Sequence, residues 1–288
     1  MNQAIDPALL QDPVVQTETI GRVGIIRLNR PKKRNALNGA MMAAVSHALQ
    51  AFSADPGIGA IVLAANGPSF SAGFDLKELA EQGNTTAEQW GAVLKADFDF
   101  VIQFWDCPKP TVAAIHGFCI GGGLELAVSC DLTIADADTL MGEPEMKFGS
   151  SIAAMIVPWL VGAKYAKEML LTANDRISAQ RAYEVGLVNE VTQGGTHFER
   201  ALAVATGMAN CSPLSMQLTK RAINRGFDIS GMRQALLAAI DAATLIESNT
   251  RPENAEFERL RTTQGMQAAL AWRNSNQASA GSSPTLGA

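Results

Sequence analysis

Short apolar runs with strand character alternate with amphipathic helical stretches through the first part of the chain, and from about Gly162 the pattern is helical almost throughout. That order predicts an α/β core followed by a helical C-terminal region. A third observation sets the scale of the core. Of 288 residues, 47% are hydrophobic and 18% charged, the balance of a globular chain with a sizeable interior.

The elements follow in order. "MNQAIDPALLQDP" lacks a basic stretch followed by an apolar one, so it reads as an irregular lead-in and not as a signal peptide. "VGIIRLNR" (Val23–Arg30) reads as a strand running into the loop "RPKKRNALN", with Pro31 and Asn38 as breakers. "GAMMAAVSHALQAFSAD" has helical periodicity, with Met42, Val45, Leu49 and Phe52 on one face. "GAIVLAANG" is a short apolar strand closed by Asn66-Gly67, and "FSAGFDLKELAEQG" is a tight loop that opens a helix at Asp75. A helical stretch around Trp90–Trp105 leads to the strand "PTVAAIHG", then to Gly121–Gly122–Gly123 and an apolar helix. "DLTIADADTLMGEPEMKFG" reads as strand and loop. "AKYAKEMLLTAN", "SAQRAYEVG", "FERALAVATGMANC" and "MRQALLAAIDAATLIES" are helical, interrupted by the short strand "LVNEV". The expected organisation is a core with the active site over 14–200 and a helical region over 201–274. Flexible tails are expected at 1–13 and 275–288, the latter small and polar in composition.

Composition excludes several classes. A net charge of −5 and the lack of a long basic stripe argue against nucleic acid, although Arg30, Lys32, Lys33 and Arg34 form a local cluster able to meet phosphates. No apolar run approaches about 18 residues, so no membrane span is expected. The four cysteines have no C-x-x-C spacing and read as reduced thiols of a cytoplasmic protein. His47, His116 and His197 have no metal-ligand spacing, and no G-x-S-x-G elbow marks a serine nucleophile.

The remaining chemistry lies in glycines and glutamates. Three glycines before a helix mark close packing against a strand, or a place where backbone N–H groups meet negative charge. "GFCIGGGLE" is neither a Walker loop nor a dinucleotide fingerprint. The "FSAGFDL" loop (Phe70–Leu76) also turns into a helix, and two such turns can aim two N–H groups at one oxygen, the geometry that stabilises a thioester or ester enolate. Glu125, in the first turn of an apolar helix, reads either as a capping residue or as a buried acid; Glu145, in "GEPEMKFG", reads either as a surface residue or as its partner.

Taken together, "LNRPKKRNALN", "FSAGFDLKEL", "AAIHGFCIGGGLELAVSCDLTIAD" and "GEPEMKFG", in this order and spacing, resemble the enoyl-CoA hydratase/isomerase (crotonase) superfamily from roughly Val14 to Leu270. The resemblance implies a crotonase spiral of β-β-α units, related to the ClpP fold, with a C-terminal helical region that packs trimers, often paired as hexamers. It implies an acyl-CoA thioester substrate, and hence a role in fatty-acid metabolism, whose carbonyl oxygen lies between the backbone N–H groups of Phe74 and Gly122. Glu125 and Glu145 would then be the acid/base pair of a hydratase, and an isomerase would use Glu145 alone. CoA contacts would fall to Arg34, with Lys32 or Lys33 as alternates, to Ala36 and Ala72, and to Asp75, Leu76 and Lys77. No metal or redox cofactor is implied, coenzyme A entering with the substrate. The alternatives are a Δ3,Δ2-enoyl-CoA isomerase, another enolate reaction, or a non-catalytic protein of this fold that binds RNA or serves in an assembly. One departure stands out: after Glu145 the text "FGSSIAAMIVPWLVG" is shorter than the family's usual loop and lacks its glycine pair.

Overall fold

The computed structural model describes residues 13–249 and 252–280, so the expectations for 1–12 and 281–288 lie outside the described residues. Six strands form the main sheet. They are β1 (Val15–Ile20), β2 (Val23–Leu28), β3 (Ala60–Ala65), β4 (Thr111–Ile115), β6 (Leu132–Asp136) and β9 (Glu190–Thr192), in spatial order 1-2-3-4-6-9. Within this sheet only the β1–β2 hairpin is antiparallel, and the other pairings are parallel. A second sheet joins β5 (Phe118–Ile120), β7 (Leu140–Gly142) and β8 (Ile177–Ser178).

The central strands β3 and β4 are buried at every position because both faces are covered. Ile26, Ile61, Leu63 and Ile115 point into the larger core, whereas Ile25, Val62, Ala64 and Val112 face α9 (His197–Ala209). The seat of α9 is flat because Ala201, Ala205 and Ala209 recur every four residues, and Gly59 allows the close approach: a Cβ there would lie 2.8 Å from the Ala209 backbone. The expected boundary at 200/201 therefore falls inside a helix that belongs to the core sheet.

On the other face lie α1 (Gly39–Ala54), capped by the Asn38 side chain on Met41 N, and the long α3 (Ala87–Asp106), which opens with a Thr86–Gln89 capping box. The buried stripe of α1 is Met41, Val45, Ala48 and Leu49, so Met41 takes the core place assigned to Met42, which is only partly buried. Between α1 and α3 sits α2 (Leu76–Gln82), and α4 (Gly122–Val128) follows β5. Short helices α5 (Glu145–Phe148), α6 (Val157–Val161), α7 (Ala163–Leu171) and α8 (Ala179–Glu184) connect the second sheet to β9. Glu145, expected in a loop, is the first residue of α5.

The C-terminal region comprises α10 (Pro213–Ile229), α11 (Met232–Glu247), α12 (Pro252–Gln264) and α13 (Met266–Ala280). The tail expected from 275 continues α13 as far as Ala280. α11 buries Met232, Leu236, Ile240 and Ala243, a stripe that packs against α3. α12 and α13 form a pair with its own small cluster, Phe257, Leu260 and Ala269, which Phe148 of α5 joins to the rest.

Candidate active site

Local backbone construction explains the three glycines one by one. Gly121 has φ +55°, a conformation that penalises any side chain, and a Cβ there would strike Glu145 Oε1. A Cβ on Gly122 would enter the Phe74 ring, and one on Gly123 would lie 2.7 Å from Ser71 Cβ. The glycine turn is therefore pressed against the "SAG" loop on one side and Glu145 on the other. The close packing expected of these glycines is what brings the two loops together.

The Phe74 N–H is set by its neighbours. Leu37 N donates to Gly73 O (2.8 Å) and Asp75 N donates to Leu37 O (2.9 Å), a parallel bridge that straddles Phe74. Ala72 N donates to Arg34 O, and Gly73 N to Ser71 Oγ. Neither Phe74 N nor Gly122 N donates to any described residue, and both residues line one cavity of about 480 Å³. Two unused N–H groups on adjoining turns are free to donate to one oxygen in the cavity.

Glu125 and Glu145 line the same cavity. Glu125 is 2% exposed; its Oε1 accepts from Ala154 N at 3.1 Å, and its Oε2 is buried without a partner. Glu145 Oε2 is likewise sealed and unpaired. Burial raises the Glu125 carboxyl well above its ordinary range, and the Glu145 charge adds to the rise. Burial pushes Glu145 up to about 7. Buried carboxyls that raise one another titrate as a coupled set and not singly.

Sequence reasoning missed a third acid. Glu143, on the other side of Pro144, is 1% exposed; its carboxyl lies within hydrogen-bonding reach of the Glu145 carboxyl, and burial followed by the Glu145 and Glu125 charges raises it. The available signal was its position: it directly follows β7, where two-residue alternation with Met141 turns it inward. Also missed were Asp97 on α3 and Glu247 on α11, both lining the cavity. Glu247 Oε1 accepts three hydrogen bonds, from Ser150 Oγ (2.5 Å), Ser151 N (2.8 Å) and Ser151 Oγ (2.8 Å). Those bonds pin the short loop after α5, and the same loop supplies the Ala154 N–H to Glu125.

The residues expected to meet CoA divide. Ala72 and Leu76 line the cavity beside Phe74. Asp75 is occupied: Oδ1 caps α2 at Lys77 N and Glu78 N, and Oδ2 pairs with Arg30 at 3.0 Å. Lys77 is exposed and pairs with Glu81 at 3.5 Å. Lys32, Lys33 and Arg34 are exposed on the loop leading to α1, with the Arg34 guanidinium 5.4 Å from the Phe118 ring centroid. Ala36 gives its carbonyl to Arg30. Apart from Ala72 and Leu76, none of these residues lines the cavity, although Arg34 and Asp75 adjoin the Ala72–Phe74 loop that does. Among the described residues no group of three or more His, Cys, Asp or Glu is arranged to hold a metal ion.

The chain matches known proteins along most of its length. The family model "Enoyl-CoA hydratase/isomerase" matches residues 18–257. The chain is 36% identical to the 2,3-dehydroadipyl-CoA hydratase of Escherichia coli, over 73% of this chain and 81% of that protein. It is 36% identical to the mitochondrial enoyl-CoA hydratase of Pongo abelii, over 72% of this chain and 71% of that one. A crystal structure of an enoyl-CoA hydratase/isomerase from Xanthobacter autotrophicus Py2 superposes with a TM-score of 0.88 at 41% identity, covering 91% of this chain and 98% of the other.

Proposed function

The chain belongs to the enoyl-CoA hydratase/isomerase family, and from that premise we propose that it is a hydro-lyase adding water across the double bond of a 2-enoyl-CoA thioester. One observation carries the reading: two buried carboxyl oxygens, Glu125 Oε2 and Glu145 Oε2, lack partners in the cavity that also holds the unused Phe74 and Gly122 N–H groups.

The chemistry follows from these atoms. The thioester carbonyl oxygen accepts from Phe74 N and Gly122 N, which draws electron density from Cβ. The ionised member of the glutamate pair takes a proton from water as its oxygen bonds to Cβ, and the double-bond electrons pass to the enolate oxygen. The neutral member then protonates Cα as the carbonyl re-forms. One water is consumed, and the pair ends with its proton on the other carboxyl. Water is the only co-reactant, the proton given to Cα being replaced by the one taken from water, so the reading calls for no metal or redox cofactor. The exposed basic cluster at Lys32, Lys33 and Arg34 suits the phosphates of CoA.

Assembly as a homotrimer or hexamer belongs to the same proposal. Leu214, Leu218, Ile223 and Ile229 of α10 and Leu237, Leu245 and Ile246 of α11 are exposed, an apolar surface of the kind that subunits cover. Four free cysteines, three of them buried, suit a cytoplasmic, reducing setting.

Glu125→Gln tests hydration against isomerisation. Hydration needs both carboxyls, so the variant is expected to lose about 10²-fold or more in kcat. An isomerase that shuttles one proton through Glu145 would keep near-normal turnover of a 3-enoyl-CoA, and that result would replace the proposal.

A further inference from the structure

The α3 side of the cavity carries a group that hydration does not use. α3 turns Trp90, Leu94 and Asp97 toward the cavity, spaced as i, i+4 and i+7 along one face. Asp97 thus occupies a place on a stripe otherwise made of Leu94, Phe98 and Val101. It is 7% exposed, and no described residue donates a hydrogen bond to its carboxyl or pairs with it. Its neighbour Glu247 is different, since the Ser150 and Ser151 donors satisfy it. Burial and then the Glu247 charge raise Asp97 to about 7, and its own charge acts on Glu125, so the two acids look into one space. Its carboxyl oxygens are not sealed inside the protein but open onto the cavity, where a ligand can reach them. Asp97 fits a site built to receive a donor from the ligand.

We propose that Asp97 is the specificity residue of the acyl pocket and takes a hydrogen bond from a hydroxyl group on the substrate's acyl tail. The inference rests on the acyl-CoA reading of the near end. Trp90, Leu94 and Leu79 offer apolar wall to the carbons of such a tail, while Asp97 offers the acceptor. A plain alkyl tail leaves Asp97 unpaired. A carboxylate-bearing tail meets like charge from Asp97 and Glu247. Both protonation states of Asp97 accept from a hydroxyl, so the contact persists across neutral pH.

The test is calorimetric binding of saturated acyl-CoA thioesters of matched length, which cannot be hydrated. Their tails end in methyl, hydroxyl, carboxylate or ammonium, and the full-length wild type is compared with Asp97→Leu. The wild type is expected to bind the hydroxyl tail about 10- to 100-fold more tightly than the methyl tail, with the carboxylate weakest. Asp97→Leu should lose the hydroxyl advantage and bind the methyl tail at least as well as wild type. A methyl or ammonium tail ranking first in the wild type, the same ranking in both proteins, or no binding of any tail overturns the proposal. Should Asp97→Leu fail to fold, the wild-type ranking decides alone. If that ranking holds but no matched enoyl-CoA gains water, the hydration reading fails and Asp97 keeps its role; hydration without discrimination among tails does the reverse.

Discussion

At the glycine-turn side of the cavity, its near end, the groups proposed to act are the backbone N–H donors of Phe74 and Gly122, set by glycine turns adjacent in space. At the far end they are side chains, Asp97 and Glu247, carried on two long helices that pack together through apolar stripes. Backbone donors fixed by sterics hold their aim whatever the ligand, which suits a step common to every substrate. Side chains on helix faces can be exchanged without disturbing the turns, which suits selection among substrates. The two ends are nonetheless connected. Glu247 holds Ser150 and Ser151, and the loop they begin delivers the Ala154 N–H that orients Glu125.

The largest effect is expected at the near end. Glu145→Gln should lower kcat by about 10²–10⁴-fold while thioester affinity stays within a few-fold, measured by steady-state kinetics and calorimetry; near-full activity would remove the acid pair from the account. Next comes Gly122→Ala. Its Cβ enters the Phe74 ring and displaces both donors at once, so kcat should fall by about 10²-fold without loss of the folded state by circular dichroism.

The far end should show itself in stability before rate. The folded-state pKa of Asp97, about 7, lies above its ordinary 3.8, so the folded protein binds the extra proton between roughly pH 4 and 7. Stability from this group is full below that window, falls as pH rises through it and levels off above 7, a loss of at most about 4 kcal/mol. Urea midpoints at pH 5 and pH 8 should therefore differ less in Asp97→Asn than in wild type; parallel behaviour would show that the carboxyl is not buried as described. Glu247→Gln exchanges three hydrogen bonds to a carboxylate for bonds to a neutral amide. The expected cost is about 1–2 kcal/mol together with a several-fold fall in kcat, because the loop that orients Glu125 slackens. The smallest effect marks a glycine with no such duty: Gly207 lies inside α9 with open space at its Cβ position, and Gly207→Ala should stabilise by about 1 kcal/mol with activity unchanged.

This division also explains what could be read from the sequence. The near end was legible because its parts lie in contiguous text: "SAG" before Phe74, and three glycines before Glu125. Strong punctuation marked those turns, and Asp75 opens α2 as its spacing predicted. The far end was not legible, because an acid in an amphipathic helix reads by default as its solvent face. Only the place of Asp97 between Leu94 and Val101 on the buried stripe of α3 gave it away. Glu247 continues the stripe of Met232, Leu236, Ile240 and Ala243 in the same manner. β1 was missed for a different reason: as an edge strand exposed along nearly its whole length, it has no apolar run to announce it. β5 was hidden by the glycines on both sides of its three residues.

The most direct test of the central claim is incubation of the full-length protein with a 2-enoyl-CoA in ¹⁸O-labelled water. Loss of enoyl absorbance is followed alongside the product mass, with Glu145→Gln as the control. The account predicts a 3-hydroxyacyl-CoA carrying one ¹⁸O at Cβ from wild type and almost none from the variant. A product of unchanged mass with a shifted double bond, or equal labelling by both proteins, would contradict it.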